Sequence, residues 1–489
     1  KTNILLITVD EQRWDTLSCM GNSVIKTPNI DRLAQDGILF QNAFTVSPLC
    51  VPSRTSFFTG IYPSRRERFS NHVTNQIASV DWTYLEALKN KGYRIGLAGK
   101  NHTFQPSYFK QWFDFREEYG HWGKEVGELT PSDSADKQFR HSEKRGATPG
   151  GILVEGLIDA PEPFQENECM SARITDDALR FLEQDHGVPF FLHYSFPDPH
   201  WPTVVCEPYF SMYKDQLDKI ALPGFDQIDW DTHPFAHYVQ SQASGYDRYT
   251  EDERKKILAV YYGQISFIDS EVGRIIAYLK SNGLYDKTLI IYNSDHGNFG
   301  GQFGLVSKTK AFYESLIRIP LIMKLPGFAG GQVVSAQLEN IDVLPTVFDY
   351  LGLPVPDDID GKSFLPVLTG KKKEHRTAIY SEVGELGLPP PPISKEIYPA
   401  YNMQRSEENM FWFIEYTTRG RCAMIRGNGW KYVYYNGDME ELYHYEDDPL
   451  ELVNLAYHPE YLDLKKAMHK KLIQQNFVGI GPEEKRVKF

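Results

Sequence analysis

The sequence predicts an α/β fold: a large, mostly parallel sheet sandwiched by helices, with a smaller C-terminal antiparallel-sheet domain. Three observations predict it. Apolar runs of strand length alternate with helical stretches through the first 370 residues, the pattern of a sheet covered on both faces. Four of those runs end in ionisable residues, as strands that lead into a site do. Beyond residue 370 the character changes to alternating, tyrosine-rich runs with a hairpin signal.

The first strand is Asn3 to Val9, almost wholly apolar. Thr27-Pro28 then opens a helix over Asn29 to Ala34 that closes near Gly37, with proline in the first turn. Tyr93 to Leu97 is the second strand. The helical stretch Ala172 to Gln184 leads into the third, Phe190 to Phe196. Glu253 to Leu279 is a long helix, and Thr288 to Tyr292 is the fourth strand. Strand–helix alternation of this kind calls for parallel pairing. Two polar, aromatic-rich stretches, 104–170 and 201–250, interrupt the pattern. They carry Trp112, Trp122, Trp201 and Trp230 and read as long loops walling a site. After Lys371-Lys372-Lys373 and the tetraproline Pro389 to Pro392, the runs Ala423 to Arg426 and Trp430 to Tyr435 alternate as strands, with Asn436-Gly437 as the hairpin signal. The expected division is a catalytic unit over 1–370 and a smaller α+β unit over 371–489.

Composition narrows the function classes. A chain of 489 residues that is 41% hydrophobic can bury a large core. No run approaches the ~20 apolar residues of a membrane span, so no membrane partner is expected. The net charge of −13 argues against nucleic acid, and an anionic substrate would need a local cluster of cations. The five cysteines, Cys19, Cys50, Cys169, Cys206 and Cys422, form no CxxC pair, which is neither a zinc ribbon nor a disulfide scaffold. The sequence enters its first strand at once. A periplasmic or secreted protein with its leader removed is the expectation, with a cytoplasmic one still open.

The four strand ends carry Asp10-Glu11, Gly99-Lys100-Asn101-His102, Asp198-Pro199-His200 and Asp295-His296-Gly297. One strand-end aspartate is usually a turn or capping residue. Four strands delivering acid, base and cation to one edge point to a site. Asp10, Glu11, Asp295 and His296 form a divalent-metal set suited to Ca²⁺, Mn²⁺ or Mg²⁺, and the absence of thiolate from it makes structural zinc unsuitable. Lys100 and Lys308 would neutralise the remaining oxygens of a bound oxyanion. Arg54, four residues after Cys50, would lie one helical turn away and hold the nucleophile in place.

Cys50-Val51-Pro52-Ser53-Arg54 with Thr59-Gly60 resembles the signature of the type I, formylglycine-dependent sulfatases of the alkaline phosphatase superfamily. Gly92-Tyr93 through His102, Asp198-Pro199-His200-Trp201-Pro202, Ser294 to Gly297, Gly304 to Lys308, Arg318 to Leu321, Asn340 to Thr346, Asp360 to Ser363 and Leu442 through Glu451 resemble later elements of that family, in order along nearly the whole chain. The resemblance implies that Cys50 is oxidised to formylglycine by a formylglycine-generating or anaerobic sulfatase-maturing enzyme. It also implies one divalent metal, Ca²⁺ first, with the converted Cys50 joining its ligands. Hydrolysis would run through the aldehyde hydrate. One hydroxyl attacks sulfur, and deprotonation of the other expels sulfate. His102 would be the base for expulsion, His200 with Lys308 would serve the leaving oxygen, and Lys100 would bridge hydrate and sulfate.

Three positions depart from the family pattern. Phe58 stands where Leu or Met is usual. Glu11 replaces the second aspartate of an Asp-Asp pair, with Gln12 a lesser candidate for that place. His296 stands where many sulfatases have Asn, while some members and the related phosphonate monoester hydrolases have His, so this position does not settle the substrate class. Lys310 competes with Lys308, which the offset from Gly304-Leu305 favours. The expected substrate is a sulfate monoester, either a sulfated carbohydrate attacked at a chain end or an aryl sulfate. The alternatives are a phosphonate monoester hydrolase or phosphodiesterase of the same superfamily, and a non-catalytic glycan-binding relative.

Overall fold

The computed structural model describes residues 1–71, 76–78, 81–127, 129, 131–135, 138, 160–184, 187–222, 224, 227–244, 246 and 249–384, and then 420–475. In chain order the strands of its main sheet are β1 (Asn3–Val9), β2 (Ile38–Phe44), β3 (Arg94–Lys100), β4 (Phe115–Gly120), β5 (Gly123–Val126), β6 (Phe190–Phe196), β7 (Thr288–Ser294), β8 (Arg318–Lys324), β9 (Gln332–Val334) and β10 (Leu338–Glu339). They lie in the order β10-β2-β8-β7-β1-β6-β3-β4-β5, with β9 paired to β2. The central run β7-β1-β6-β3-β4 is parallel. Antiparallel pairs flank it, β7–β8 and β2–β8 on one side and β4–β5 on the other.

β1 shows why its sequence is apolar with no alternation. Leu5, Ile7 and Val9 enter a cluster with the helices Pro28–Asp36, Met170–Glu183 and Glu251–Ser281. Ile4 and Leu6 enter the opposite cluster, with the helices Tyr84–Asn90, Pro106–Trp112 and Val343–Tyr350. Both faces are buried, so both residue sets must be hydrophobic. The long helix begins at Glu251, two residues before the expected start, because Thr250 and Glu253 form a reciprocal capping box.

The stretches 104–170 and 201–250 are not simply loops. The first supplies the helix Pro106–Trp112 and the β4–β5 hairpin, which extends the sheet. The second supplies the helix Phe235–Ser244. Charge hides the hairpin in the sequence. Glu117 of β4 pairs with Lys124 of β5 at 3.0 Å, and Lys124 also reaches Asp177 at 3.0 Å. These side chains are buried because they meet partners distant in sequence.

A separate antiparallel sheet follows, in the order β11 (Ile379–Val383), β12 (Cys422–Gly427), β13 (Trp430–Tyr435) and β14 (Glu441–His444). One apolar cluster joins it to Phe299, Phe303, Phe312 and Tyr313. Another joins it to Val46, Tyr62, Ile341 and the helix Leu462–Gln474. The tight turn between β12 and β13 is Asn428-Gly429, both with positive φ, the conformation that two-residue hairpins need. Asn436-Gly437 lies in the longer connection to β14. Pro389 to Pro392 lie outside the described residues. All five cysteines are unpaired. Among the described residues no helix is long and apolar enough to cross a membrane.

Candidate active site

Register places the site. Val9 of β1 pairs with Phe196 of β6 and with Ser294 of β7, so these parallel strands finish level with one another. Asp10, Pro197 and Asp295 follow at the same edge, where Asp10 N donates to Phe196 O at 3.1 Å. β3 runs three residues past its expected end, so Lys100 sits on the strand itself.

Cys50 arrives from the other direction, at the first turn of the helix Cys50–Thr59. Every residue of that helix is buried. Pro52 fits because a first-turn residue has no intrahelical N–H bond to lose. Asn71 Oδ1 accepts from Val51 N at 3.0 Å, and Gly60 ends the helix in the left-handed conformation with φ +71. The helix holds Arg54 one turn beyond Cys50. Arg54 Nε donates to Asp295 Oδ2 at 2.6 Å, and Nη1 donates to Ser195 Oγ at 3.0 Å. Phe58 packs edge-on against Phe57 and Phe104 beneath the site.

The Cys50 thiol lies 3.2 Å from His296 Nε2 and 3.5 Å from Asp10 Oδ1. Asp10, Cys50, Asp295 and His296 bring one donor atom each within 4.8 Å of one another, all buried. Lys100 Nζ pairs with Asp10 Oδ2. Glu11, expected in the metal set, does not join this group. Its backbone is left-handed with φ +66. Its carboxylate accepts from Lys308 Nζ at 2.6 Å, Ser307 Oγ at 2.7 Å and Asn298 Nδ2 at 2.9 Å, with His200 Nε2 at 3.3 Å. Gln12 also points elsewhere, to Thr16 and Tyr292. Lys310 lies beside Cys422 and Asp438, away from the site. His102 and Ser307, like Glu11, are left-handed without being glycine, at φ +44 and +55. Such strain costs on the order of 1 kcal/mol or more at each residue and clusters at functional sites.

The charges are interlocked. Burial opposes ionisation of Asp10, but Lys100 and Arg54 hold it well below the usual carboxylate range. Burial likewise opposes Glu11, and Lys308 and His200 pull it down. Burial disfavours the charge on Lys308, while Cys50, Glu11 and Asp10 outweigh it and raise the ammonium above its ordinary value. His102 and His200 go the other way. Burial first, then Lys100 for His102 and Lys308 for His200, push each ring well below the ordinary imidazole value. His296 is the exception. Burial opposes its charge, but Asp295 and the Cys50 thiol lift it to about 9. The Asp10–Asp295–His296 group therefore attracts positive charge, and its two carboxylates and one imidazole suit a hard or borderline divalent cation.

One residue at this edge was not among those expected. His121 sits with Trp122 in the two-residue turn between β4 and β5, between the paired Gly120 and Gly123. Its ring stacks on His200 at 3.6 Å and meets His102 edge-on at 5.1 Å. The available signal was Gly-His-Trp-Gly, a turn flanked by glycines inside the aromatic-rich stretch.

The family profile described as Sulfatase matches residues 2–353. The chain belongs to the sulfatase family. This sulfatase is therefore a sulfuric ester hydrolase of the alkaline phosphatase superfamily. It is 30% identical to a multifunctional alkaline phosphatase superfamily protein, PehA, of Trinickia caryophylli, over 97% of this chain and 95% of that one. It is 28% identical to an arylsulfatase of Clostridium perfringens, over 97% and 94%. Among solved structures it resembles a phosphonate monoester hydrolase of Agrobacterium radiobacter, with TM-score 0.75, 26% identity and coverage of 97% and 95%.

Proposed function

We propose that this sulfatase hydrolyses sulfate monoesters of an aryl alcohol or of a sugar at a chain end, with position 50 as the nucleophile after conversion of its cysteine to formylglycine. The observation that carries the reading is the place of Cys50 Sγ, which stands where the hydrate oxygen would be. It lies 3.2 Å from His296 and 3.5 Å from Asp10, at the meeting point of the strand ends.

The hydrated aldehyde, once installed, supplies one hydroxyl for attack at sulfur and a second whose deprotonation releases sulfate. Asp10, Asp295 and His296, with the side chain at position 50, would hold a divalent cation, Ca²⁺ before Mn²⁺ or Mg²⁺. When bound, the cation polarises an ester oxygen. The rest belongs to the chain's own side chains. Arg54 fixes the Asp295 carboxylate through its 2.6 Å bond, which orients both the nucleophile and the metal-binding edge. Lys100 and Lys308 bring fixed positive charge to the oxyanion. His102 is held neutral by burial and Lys100, the state a base requires, and takes the proton at the release step. His200 Nδ1 donates to Trp201 O at 2.7 Å, which leaves Nε2 facing the site as an acceptor; the Lys308 ammonium beside it carries the proton that the leaving oxygen takes up. Trp122 and Trp201, half-buried and edge-to-face at 5.2 Å, offer the flat apolar wall that an aryl or sugar ring fits.

A second reading, phosphonate monoester or phosphate diester hydrolysis, is favoured by the PehA and phosphonate hydrolase relatives. The deciding experiment uses protein whose residue 50 is verified as formylglycine by peptide mass spectrometry. It compares kcat/KM on an aryl sulfate, an aryl phosphonate monoester, an aryl phosphate diester and a panel of sulfated sugars, with and without chelator. The sulfate esters are expected to lead, with loss on chelation and recovery on adding Ca²⁺. A clear lead for the diester overturns the proposal, and no turnover of any ester returns the protein to a binding role.

A further inference from the structure

His121 carries a further inference, which rests on the oxyanion site just proposed. Its Nε2 lies 3.2 Å from Lys100 Nζ. An ammonium only donates, so Nε2 must be the accepting nitrogen and the ring proton belongs on Nδ1. That N–H has no hydrogen-bond partner, although the atom itself is buried. It lies 3.7 Å from Asp10 Oδ2, too far to be bonded. Flipping the ring would give up the contact with Lys100. A buried, unpaired donor among the strand-end groups Asp10, Lys100 and His200 is one that a ligand can complete.

We propose that His121 is a substrate-contact residue, whose Nδ1–H donates to an anionic oxygen of the sulfuryl group or of its phosphoryl analogue. Asp10, His121 and His200 also bring donor atoms within 4.8 Å of one another, as a second metal site would. Lys100 fills that place, because its ammonium is paired with Asp10 and 3.2 Å from His121. The donor therefore serves the ester itself. A neutral N–H adds a directed hydrogen bond without adding charge to a pocket that already holds Arg54, Lys100 and Lys308. A hairpin turn is a suitable carrier, since the paired glycines fix the His121-Trp122 loop from both sides.

Three variants of the formylglycine-bearing, metal-loaded enzyme test this. His121→Phe keeps an aromatic ring for the stack but removes the donor. KM for an aryl sulfate and the competitive inhibition constant of inorganic sulfate should each rise about tenfold or more, as loss of a hydrogen bond to a charged group does. His121→Asn places a carboxamide N–H near the same point and should recover most of both. His121→Ala should match His121→Phe. Thermal melting confirms that each variant is folded, and bound metal per chain should be unchanged. Wild-type KM and inhibition in His121→Phe would reduce the ring to packing and overturn the proposal. So would a folded His121→Asn no better than His121→Phe, or loss of a metal equivalent. Inorganic phosphate is run alongside. A His121 effect on phosphate inhibition, in an enzyme that prefers diesters, keeps this inference while the sulfate reading fails.

Discussion

Two buried clusters of charge can be set side by side. At the junction between the main sheet and the second sheet, Arg376 pairs with Asp342 and with Glu339, the latter at 3.2 Å. Asp342 also accepts from Glu339 N at 2.9 Å, Lys362 N at 2.8 Å and His375 Nε2 at 3.0 Å. Glu339 accepts from Tyr62 Oη at 2.5 Å and Tyr380 N at 2.7 Å. None of these residues has an orphaned polar atom or a left-handed backbone among the described residues. At the strand ends the charges are as deeply buried, yet Arg54 Nη2, His102 Nδ1 and His121 Nδ1 have no hydrogen-bond partner, and Glu11, His102 and Ser307 are strained. Burial and charge alone do not mark a site. Between these two clusters the difference lies in unfinished hydrogen bonding and strain, which the junction lacks and the strand ends have.

Exchanging the roles of the two clusters would break the contrast. The largest effect is expected at position 50. Cys50→Ala should lower aryl sulfate turnover on the order of 10⁴-fold or more, as removal of a nucleophile does, while the thermal midpoint stays close to that of the parent. Substantial turnover by this variant would remove position 50 from the mechanism. At the junction the signs reverse. Arg376→Ala leaves Asp342 buried without its main partner and should cost about 3–5 kcal/mol in chemical denaturation, with kcat of the folded fraction unchanged. A fall in kcat at constant stability would show the two clusters to be coupled.

The smallest effect is a pH dependence. Burial pushes Glu339 from 4.5 to about 7, against the pull of Arg376. A folded-state pKa above the unfolded one means the native state binds the proton more tightly. This contribution is fully present below about 4.5 and is lost as pH rises through 7. Glu339→Gln should flatten that part of the stability profile between pH 4.5 and 7 in denaturant titrations. An unaltered slope would assign the titration to another group.

The sequence was legible where chemistry and periodicity are local. β1 and β6 fall on their expected residues, and β7 differs by two, because a strand buried on both faces leaves an unbroken apolar run. The strand-end residues Asp10, Lys100 and Asp295 could be placed at one edge from that alone. What stayed hidden depended on distant partners. β4 reads as Phe-Arg-Glu-Glu-Tyr-Gly and becomes a strand only because Lys124 and Arg180, both held by Asp177, meet its Glu117, and with it His121 went unseen. Glu11 was placed correctly in sequence, but its left-handed backbone and the three donors around its carboxylate direct that group to Lys308 rather than to Asp10.

The helix that carries Cys50 has a last consequence, one of timing. All ten of its residues are buried and Cys50 itself is 1% exposed. In the finished fold a modifying enzyme could not reach this side chain without opening the helix and the strand ends around it. The conversion proposed for Cys50 would therefore belong to the unfolded life of the polypeptide, before β1 and β7 close over it. On that reading, a molecule that folds too early would keep its thiol.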